Sequence, residues 1–237
     1  MYGWRARIGL IVPSSNTTME SEFWKLVPEG VTIHTSRIRL VEVIPKALRD
    51  MATESLKAAE DLATAEVDII VYGCTTGSLL EGIEWEQKLR TSIEEQTGIK
   101  TITTALAVIE ALHALNISKL VVATPYIEEL NQLERKFLED SGFRVLNIKG
   151  LNIIKNTDIG SQPPWTAYRL VREVYVPEAD GVFISCTNFR TIEIIELLEK
   201  DLKRPVISSN TASLWLALRK LGISPNIKGF GRLLGGV

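Results

Sequence analysis

The chain has little of what most metal, nucleotide and nucleic-acid sites are built from. Its 237 residues include only two cysteines and two histidines. Two thiols without histidine or carboxylate at ligand spacing fall short of a zinc set. No Walker-type loop occurs, and no Gly-x-Gly-x-x-Gly follows the first apolar run, so nucleotide use has no support. Excess charge of one sign is missing as well. The 27 basic and 29 acidic side chains leave a net charge of -2, which gives neither nucleic acid nor an anionic membrane a reason to bind. No apolar stretch approaches the roughly 18 residues of a membrane-spanning helix, and the opening Met1-Tyr-Gly-Trp-Arg-Ala-Arg7 is too short and polar for an export signal. A cytoplasmic, reducing setting is therefore expected, with both cysteines as free thiols.

What is present reads as strands alternating with helices. Residues 7–12 form an apolar run stopped by Pro13, hence a first strand. The turn Pro13-Ser-Ser-Asn16 leads to Thr17-Thr-Met-Glu20, whose spacing is that of a capping box opening a helix. Strands follow at 31–36 and 68–72, joined by one long helical pattern after Pro45 that carries Leu48, Met51, Leu56 and Leu62. A further helix carries Trp85, Leu89 and Ile93, a short strand lies near Ile102, and another helix ends at Asn116. The pattern then restarts with a strand over 119–124 stopped by Pro125, a helix over 128–140 and a strand over 145–148. A polar loop is expected over 156–165, then a helix through Tyr168, Val171 and Val174 and a strand over 180–184. A helix over 191–200, a strand over 206–208, a last helix over 213–221 and a glycine-rich tail complete the chain.

The restart is a repeat. Pro13 and Pro125 are 112 positions apart, as are Cys74 and Cys186, and the same offset lays Glu66-Val-Asp68 on Glu178-Ala-Asp180. Near the ends the offset is 106, where Ala111-Leu112 and Ile117-Ser118 match Ala217-Leu218 and Ile223-Ser224. These matches predict an α/β fold of two pseudo-symmetric halves, each a parallel sheet flanked by helices. Ligands in such sheets bind beyond the carboxyl ends of the strands. The turns at 13–16, 73–77, 125–126 and 185–188 all fall there, and are expected to line one cleft between the halves.

Each cysteine closes an apolar strand and is followed by threonine, as Cys74-Thr75 and Cys186-Thr187. A thiol attacks only as thiolate, and a helix N-terminus lowers its pKa. The hydroxyls of Thr75, Thr76, Ser78 and Thr187 and the amide of Asn188 would add neutral donors, which suit a small dicarboxylate. One thiolate and one thiol is the working state this arrangement suggests. Cysteine is also a common small core residue, and only the matched placement favours chemistry here. Tyr126 reads equally as a core phenol or a cleft hydroxyl. Arg190 reads either as a side chain that reaches an anion or as a helix-face residue, His34 and His113 as packing or surface groups, and Leu40 to Val43 as a wall of the pocket.

The stretches Val12-Pro-Ser-Ser-Asn-Thr-Thr-Met-Glu20, Gly73-Cys-Thr-Thr-Gly-Ser78, Pro125-Tyr126 and Ser185-Cys-Thr-Asn188 resemble the maleate cis-trans isomerases of the aspartate/glutamate racemase superfamily, which also holds arylmalonate decarboxylase. The resemblance spans nearly the whole chain. It implies halves of residues 1–104 with 211–237 and of residues 105–210, because the helix after each half crosses over. It also implies no cofactor, a small dicarboxylate substrate and a homodimer. By the same resemblance Cys74 is the nucleophile that adds to an alkene carbon of maleate, and Cys186 is the acid/base partner. Asn16, Tyr126 and Asn156 would hold the carboxylates, helped by Thr75, Thr187 and Asn188. Arylmalonate decarboxylase lacks the first cysteine and carries a Gly-Gly type sequence after the second, so Cys74 and Thr187-Asn188 weigh against that activity. The other readings are racemisation or decarboxylation of a carbon acid, and a non-catalytic dicarboxylate-binding protein.

Overall fold

Ala6–Pro13 (β1) and Ile69–Tyr72 (β3) are the paired central strands of a parallel sheet in the computed structural model, which describes residues 2–236. Val31–Ile38 (β2) and Thr101–Thr103 (β4) flank them, giving the order β2-β1-β3-β4. The second sheet repeats this with Lys119–Thr124 (β5), Arg144–Gly150 (β6), Gly181–Ile184 (β7) and Val206–Ser208 (β8), in the order β6-β5-β7-β8. Every pairing within both sheets is parallel. Helices cover both faces of such a sheet, so β3 and β7 are apolar throughout rather than alternating, and each of their residues is buried. The two-halved α/β fold is as the repeat predicts.

The helices between β1 and β5 are Met19–Leu26 (α1), Pro45–Thr53 (α2), Ser55–Ala63 (α3), Thr75–Leu79 (α4), Ile83–Thr97 (α5) and Thr104–Ala114 (α6). Those that follow are Glu128–Asp140 (α7), Asn156–Gly160 (α8), Pro164–Val174 (α9), Ile195–Leu202 (α10), Ser209–Lys220 (α11) and Arg232–Gly236 (α12). The structural repeat keeps the offset of 112 from β3 to β7 (69 to 181, 72 to 184). It falls to 105 between the caps Thr103 and Ser208, and returns to 106 at the C-caps Leu115 and Leu221, because α11 is one residue longer than α6.

These two helices make the seam. α6 and α11 pack on one another, α6 reaches β8, and α11 reaches α1, β3 and β4. Every residue of α11 from Ser209 to Leu218 is buried. Leu214, Leu216 and Leu218 alone contribute about 2 kcal/mol each by burial, so the halves are fastened along their whole contact.

Several local expectations change. The helical pattern after Pro45 is two helices, with Glu54 as the C-cap of α2 and the N-cap of α3. The polar loop at 156–165 holds α8 and the start of α9, the latter opened by Pro164. α10 begins only at Ile195, and ahead of it the backbone N–H groups of Thr191 and Ile192 donate to the Glu22 carboxylate at 3.0 and 3.4 Å. α1 is not closed by a Thr17–Glu20 box. Asn16 Oδ1 accepts instead from the N–H groups of Thr18 and Met19, both at 3.0 Å. Among the described residues no helix is long and apolar enough to cross a membrane.

Candidate active site

The four strand-end turns meet at the seam, and all eight residues singled out from the sequence are buried there. Exposure is 5% for Cys74 and 6% for Cys186, and at most 3% for Asn16, Thr75, Tyr126, Asn156, Thr187 and Asn188. Cys74 sits in extended backbone at the N-cap of α4. Gly73 before it admits no side chain, since a Cβ would lie 2.6 Å from Met19 Sδ and 2.9 Å from the Ile11 carbonyl. A Cβ on Gly77 would lie 3.1 Å from Cys74 Sγ, so glycine leaves the thiol its room.

Cys186 is held differently. No helix follows it, and its φ of +92° is a strained value for a residue with a side chain. Three bonds hold the turn. Cys186 N–H donates to Ser209 Oγ at 3.1 Å, Thr187 Oγ1 donates to the Gly73 carbonyl at 3.1 Å, and Asn188 N–H reaches Cys186 Sγ at 3.4 Å. The Tyr126 hydroxyl lies close enough to the Cys186 thiol to lower its pKa. The two cysteine positions match in the repeat but not in backbone geometry.

A chain of neutral groups links the turns. Asn16 Nδ2 donates to Thr187 Oγ1 at 3.0 Å. Asn188 accepts from the Thr17 N–H at 2.8 Å and donates to the Asn156 carbonyl at 2.7 Å. Asn156 Nδ2 donates to Ser15 Oγ at 2.8 Å, and Thr75 Oγ1 donates to Ser209 Oγ at 2.8 Å. These donors satisfy one another, so a bound anion would exchange existing hydrogen bonds for its own. Among the described residues no group of three or more histidine, cysteine or acidic side chains is placed to hold a metal ion.

Burial, not the helix dipole, governs the thiols. It pushes Cys74 up to about 11, against weaker lowering by the Gly77 N–H and the Thr76 hydroxyl. It pushes Cys186 up to about 12, against hydrogen bonds from Tyr126 and the Asn188 N–H, with negative charge on Cys74 or Glu134 pushing the same way. Burial therefore keeps both thiols protonated at neutral pH in the resting site, and the expected working pair of one thiolate and one thiol requires a proton to leave.

Four residues of this region escape the sequence reading. Glu134 of α7 is fully buried, with Ser185 Oγ donating to its Oε1 at 2.6 Å, and burial raises its pKa to about 8. Glu22 of α1 is buried too and raised to about 7 by the same cause. Asn210 Nδ2 donates to Glu22 Oε2 at 2.6 Å and to the Thr187 carbonyl at 3.1 Å. Ser209 joins Thr75 to the Cys186 backbone.

The site is closed, where an open cleft is expected. A groove of about 480 Å³ beside Arg37, Asp50 and Lys57 lies on the outer face and touches neither cysteine. Residues 41–43 of the first half pair with residues 154–156 of the second: Val43 N–H donates to the Ile154 carbonyl at 2.8 Å, and Asn156 N–H to the Val41 carbonyl at 3.0 Å. This antiparallel strap, bridged at Glu42 and Lys155, runs on directly into the buried Asn156. Leu40 and Val43 are buried under it while Val41 is 51% exposed. Arg190 is exposed and takes no part in these bonds. His34 bonds the Thr32 hydroxyl at 3.0 Å, and His113 lies against Phe143 with ring centres 4.9 Å apart.

Comparison with known proteins gives one answer at three levels. The sequence pattern of the arylmalonate decarboxylase family matches residues 8–234. A maleate isomerase of Geobacillus stearothermophilus is 31% identical, with 97% of each chain covered. The structure of a cysteine-to-alanine variant of the Pseudomonas putida S16 maleate isomerase with maleate superposes with a TM-score of 0.95, at 28% identity and 98% coverage of both chains. A cysteine-to-serine variant of the Nocardia farcinica maleate cis-trans isomerase, with a covalently bound succinylcysteine intermediate, superposes with a TM-score of 0.93, at 28% identity and coverage of 97% of this chain and 98% of that one.

Proposed function

The chain belongs to the arylmalonate decarboxylase family, and within it we propose that it isomerises maleate to fumarate by reversible addition of a cysteine. The observation that carries this reading is that the two halves bring two thiols, Cys74 and Cys186, into one buried site among neutral donors.

Cys74 as thiolate adds to C2 of maleate. The new C–S bond takes up the thiolate pair, and the alkene pair moves to C3 and its carboxylate. Cys186 gives its proton to C3, which leaves a succinyl thioether whose C2–C3 bond is single and rotates. The Cys186 thiolate then takes the C3 proton back, the C–S pair returns to Cys74, and fumarate leaves. Asn16 and Asn156 hold the carboxylates, with Tyr126, Thr75, Thr187 and Asn188 beside them. Ionising a thiol of pKa about 11 at pH 7 costs about 5 kcal/mol. A turnover of about 10 per second has a barrier near 16 kcal/mol, so about 11 kcal/mol remains for the addition.

The working assembly is a homodimer in the reducing cytoplasm, each protomer made of residues 1–104 with 211–237 and of residues 105–210. Reduced protein incubated with maleate in D2O, followed by proton NMR, should form fumarate. Cys74→Ala and Cys186→Ala should each lose that activity. Unchanged maleate together with α-deuteration of aspartate would replace isomerisation by racemisation.

A further inference from the structure

Glu134 is a buried acid whose contacts lead towards the acid/base thiol. Ser185 Oγ lies 2.6 Å from Glu134 Oε1 and 3.5 Å from the Tyr126 hydroxyl, which in turn lies close enough to Cys186 to lower the pKa of its thiol. We propose that Glu134 is a positioning residue that, through Ser185 and Tyr126, aims a chain of hydroxyl donors at Cys186 and so stabilises the thiolate left when Cys186 protonates the substrate. The proposal rests on the reading of Cys186 as the acid/base group.

The direction of the chain follows from proton counting. A neutral Glu134 donates its O–H to Ser185, Ser185 donates to Tyr126, and Tyr126 donates to the sulfur of Cys186. An ionised Glu134 can only accept. Ser185 then turns its hydrogen to the carboxylate, Tyr126 turns to Ser185, and Cys186 loses its donor while gaining a negative neighbour. No proton need leave the chain for this reversal beyond the one on Glu134.

The surroundings keep Glu134 neutral. Its Oε2 is buried without a hydrogen-bond partner, a costly place for a carboxylate. The ionisable groups that bear on the chain are Tyr126, Cys186 and Cys74. α4, packed against α7, brings only the hydroxyls of Thr75, Thr76 and Ser78. The cations of α7 and β6 are engaged at the surface, Arg135 with Glu139, Lys136 with Asp140 and Lys149 with Glu173, and Arg144 is exposed. Burial accordingly holds the carboxyl near a pKa of about 8, so it is mostly neutral at pH 7.

The test is the pH profile of kcat for maleate in the wild type, Glu134→Gln, Glu134→Leu and Ser185→Ala. The wild-type profile should bend downward by one unit of slope near pH 8. Glu134→Gln, whose amide still donates to Ser185, should lose that bend and exceed Glu134→Leu about tenfold in kcat, the effect of one charge-directed hydrogen bond. Ser185→Ala, which breaks the chain but leaves the Glu134 charge in place, should shrink the bend without abolishing it, so the test stands even where Glu134→Leu does not fold. An unmoved bend in Glu134→Gln, with normal wild-type turnover, overturns the relay alone. A folded wild type that makes no fumarate overturns the isomerase reading, and the relay with it.

Discussion

Thr187 Oγ1 donates to the Gly73 carbonyl at 3.1 Å, so the residue after one cysteine is bonded to the residue before the other. This contact joins the two halves where the chemistry is placed. The same hydroxyl accepts from Asn16 at 3.0 Å. Thr187→Val keeps the shape but strips both partners, leaving buried polar atoms at about 1–3 kcal/mol each. It should lower kcat/KM by one to two orders of magnitude, whereas Thr187→Ser should restore most of it. Equal rates in the two variants would show that the hydroxyl is not needed.

Gly77 offers a separation of activity from stability. Alanine is favoured over glycine in a helix by up to about 1 kcal/mol, yet its Cβ would lie 3.1 Å from Cys74 Sγ and 2.9 Å from Met51 Cε. Gly77→Ala should therefore displace the thiol, cutting kcat at least about tenfold, with a melting temperature near that of the wild type. Full activity in the variant would place the thiol elsewhere.

The buried acids set an unusual pH dependence of stability. Glu22 and Glu134 have folded values of about 7 and about 8, both above the 4.5 of an ordinary glutamate carboxyl. A raised value means that the folded state binds protons more tightly, so stability is full below about pH 4.5 and is lost as pH rises through 7 to 8. Each group should cost roughly 2 kcal/mol between pH 5 and pH 7. Urea unfolding should give a lower midpoint at pH 7 than at pH 5, and Glu134→Gln should flatten the slope. Stability that rises over this interval would contradict the burial argument.

The strap has to part for a ligand to reach the thiols. Glu42 and Lys155 face each other as a pair flanked by the Val43–Ile154 and Asn156–Val41 hydrogen bonds, a geometry with Cα atoms about 4.5 Å apart and within disulfide reach. The double variant Glu42→Cys with Lys155→Cys should be inactive when oxidised and recover on reduction. Undiminished turnover in the oxidised form would mean that access lies elsewhere.

Much of this is legible in the amino-acid sequence. Strands that end at Pro13, Cys74, Pro125 and Cys186 announce themselves by apolar runs and stop residues, and the two cysteines by their shared offset. Glu134 and Glu22 were not, because charged residues in a helix usually mark its wet face. Their signal was positional. Glu134 falls on the stripe of Leu130, Phe137 and Leu138, and Glu22 on that of Met19, Phe23 and Leu26, which are the buried faces of α7 and α1. The protonation of the thiols was hidden for a different reason. A strand-to-helix turn predicts a lowered pKa, but the depth of burial that outweighs it comes from α11 and the opposite half, far away in sequence. Asn156 sits in a stretch with no periodic pattern, and its place under Ser15 and Asn188 depends on the strap.

The central claim is covalent addition by Cys74 with proton transfer by Cys186, and a trapped adduct tests it most directly. Cys186→Ser should be incubated with maleate, and intact-mass and peptide spectra recorded. The account predicts a gain of one maleic acid per chain, carried on the peptide that contains Cys74 as a succinyl thioether and absent when Cys74 is also replaced by alanine. Maleate turnover by the wild type with no adduct at Cys74 in the serine variant, or an adduct borne by another residue, would contradict it.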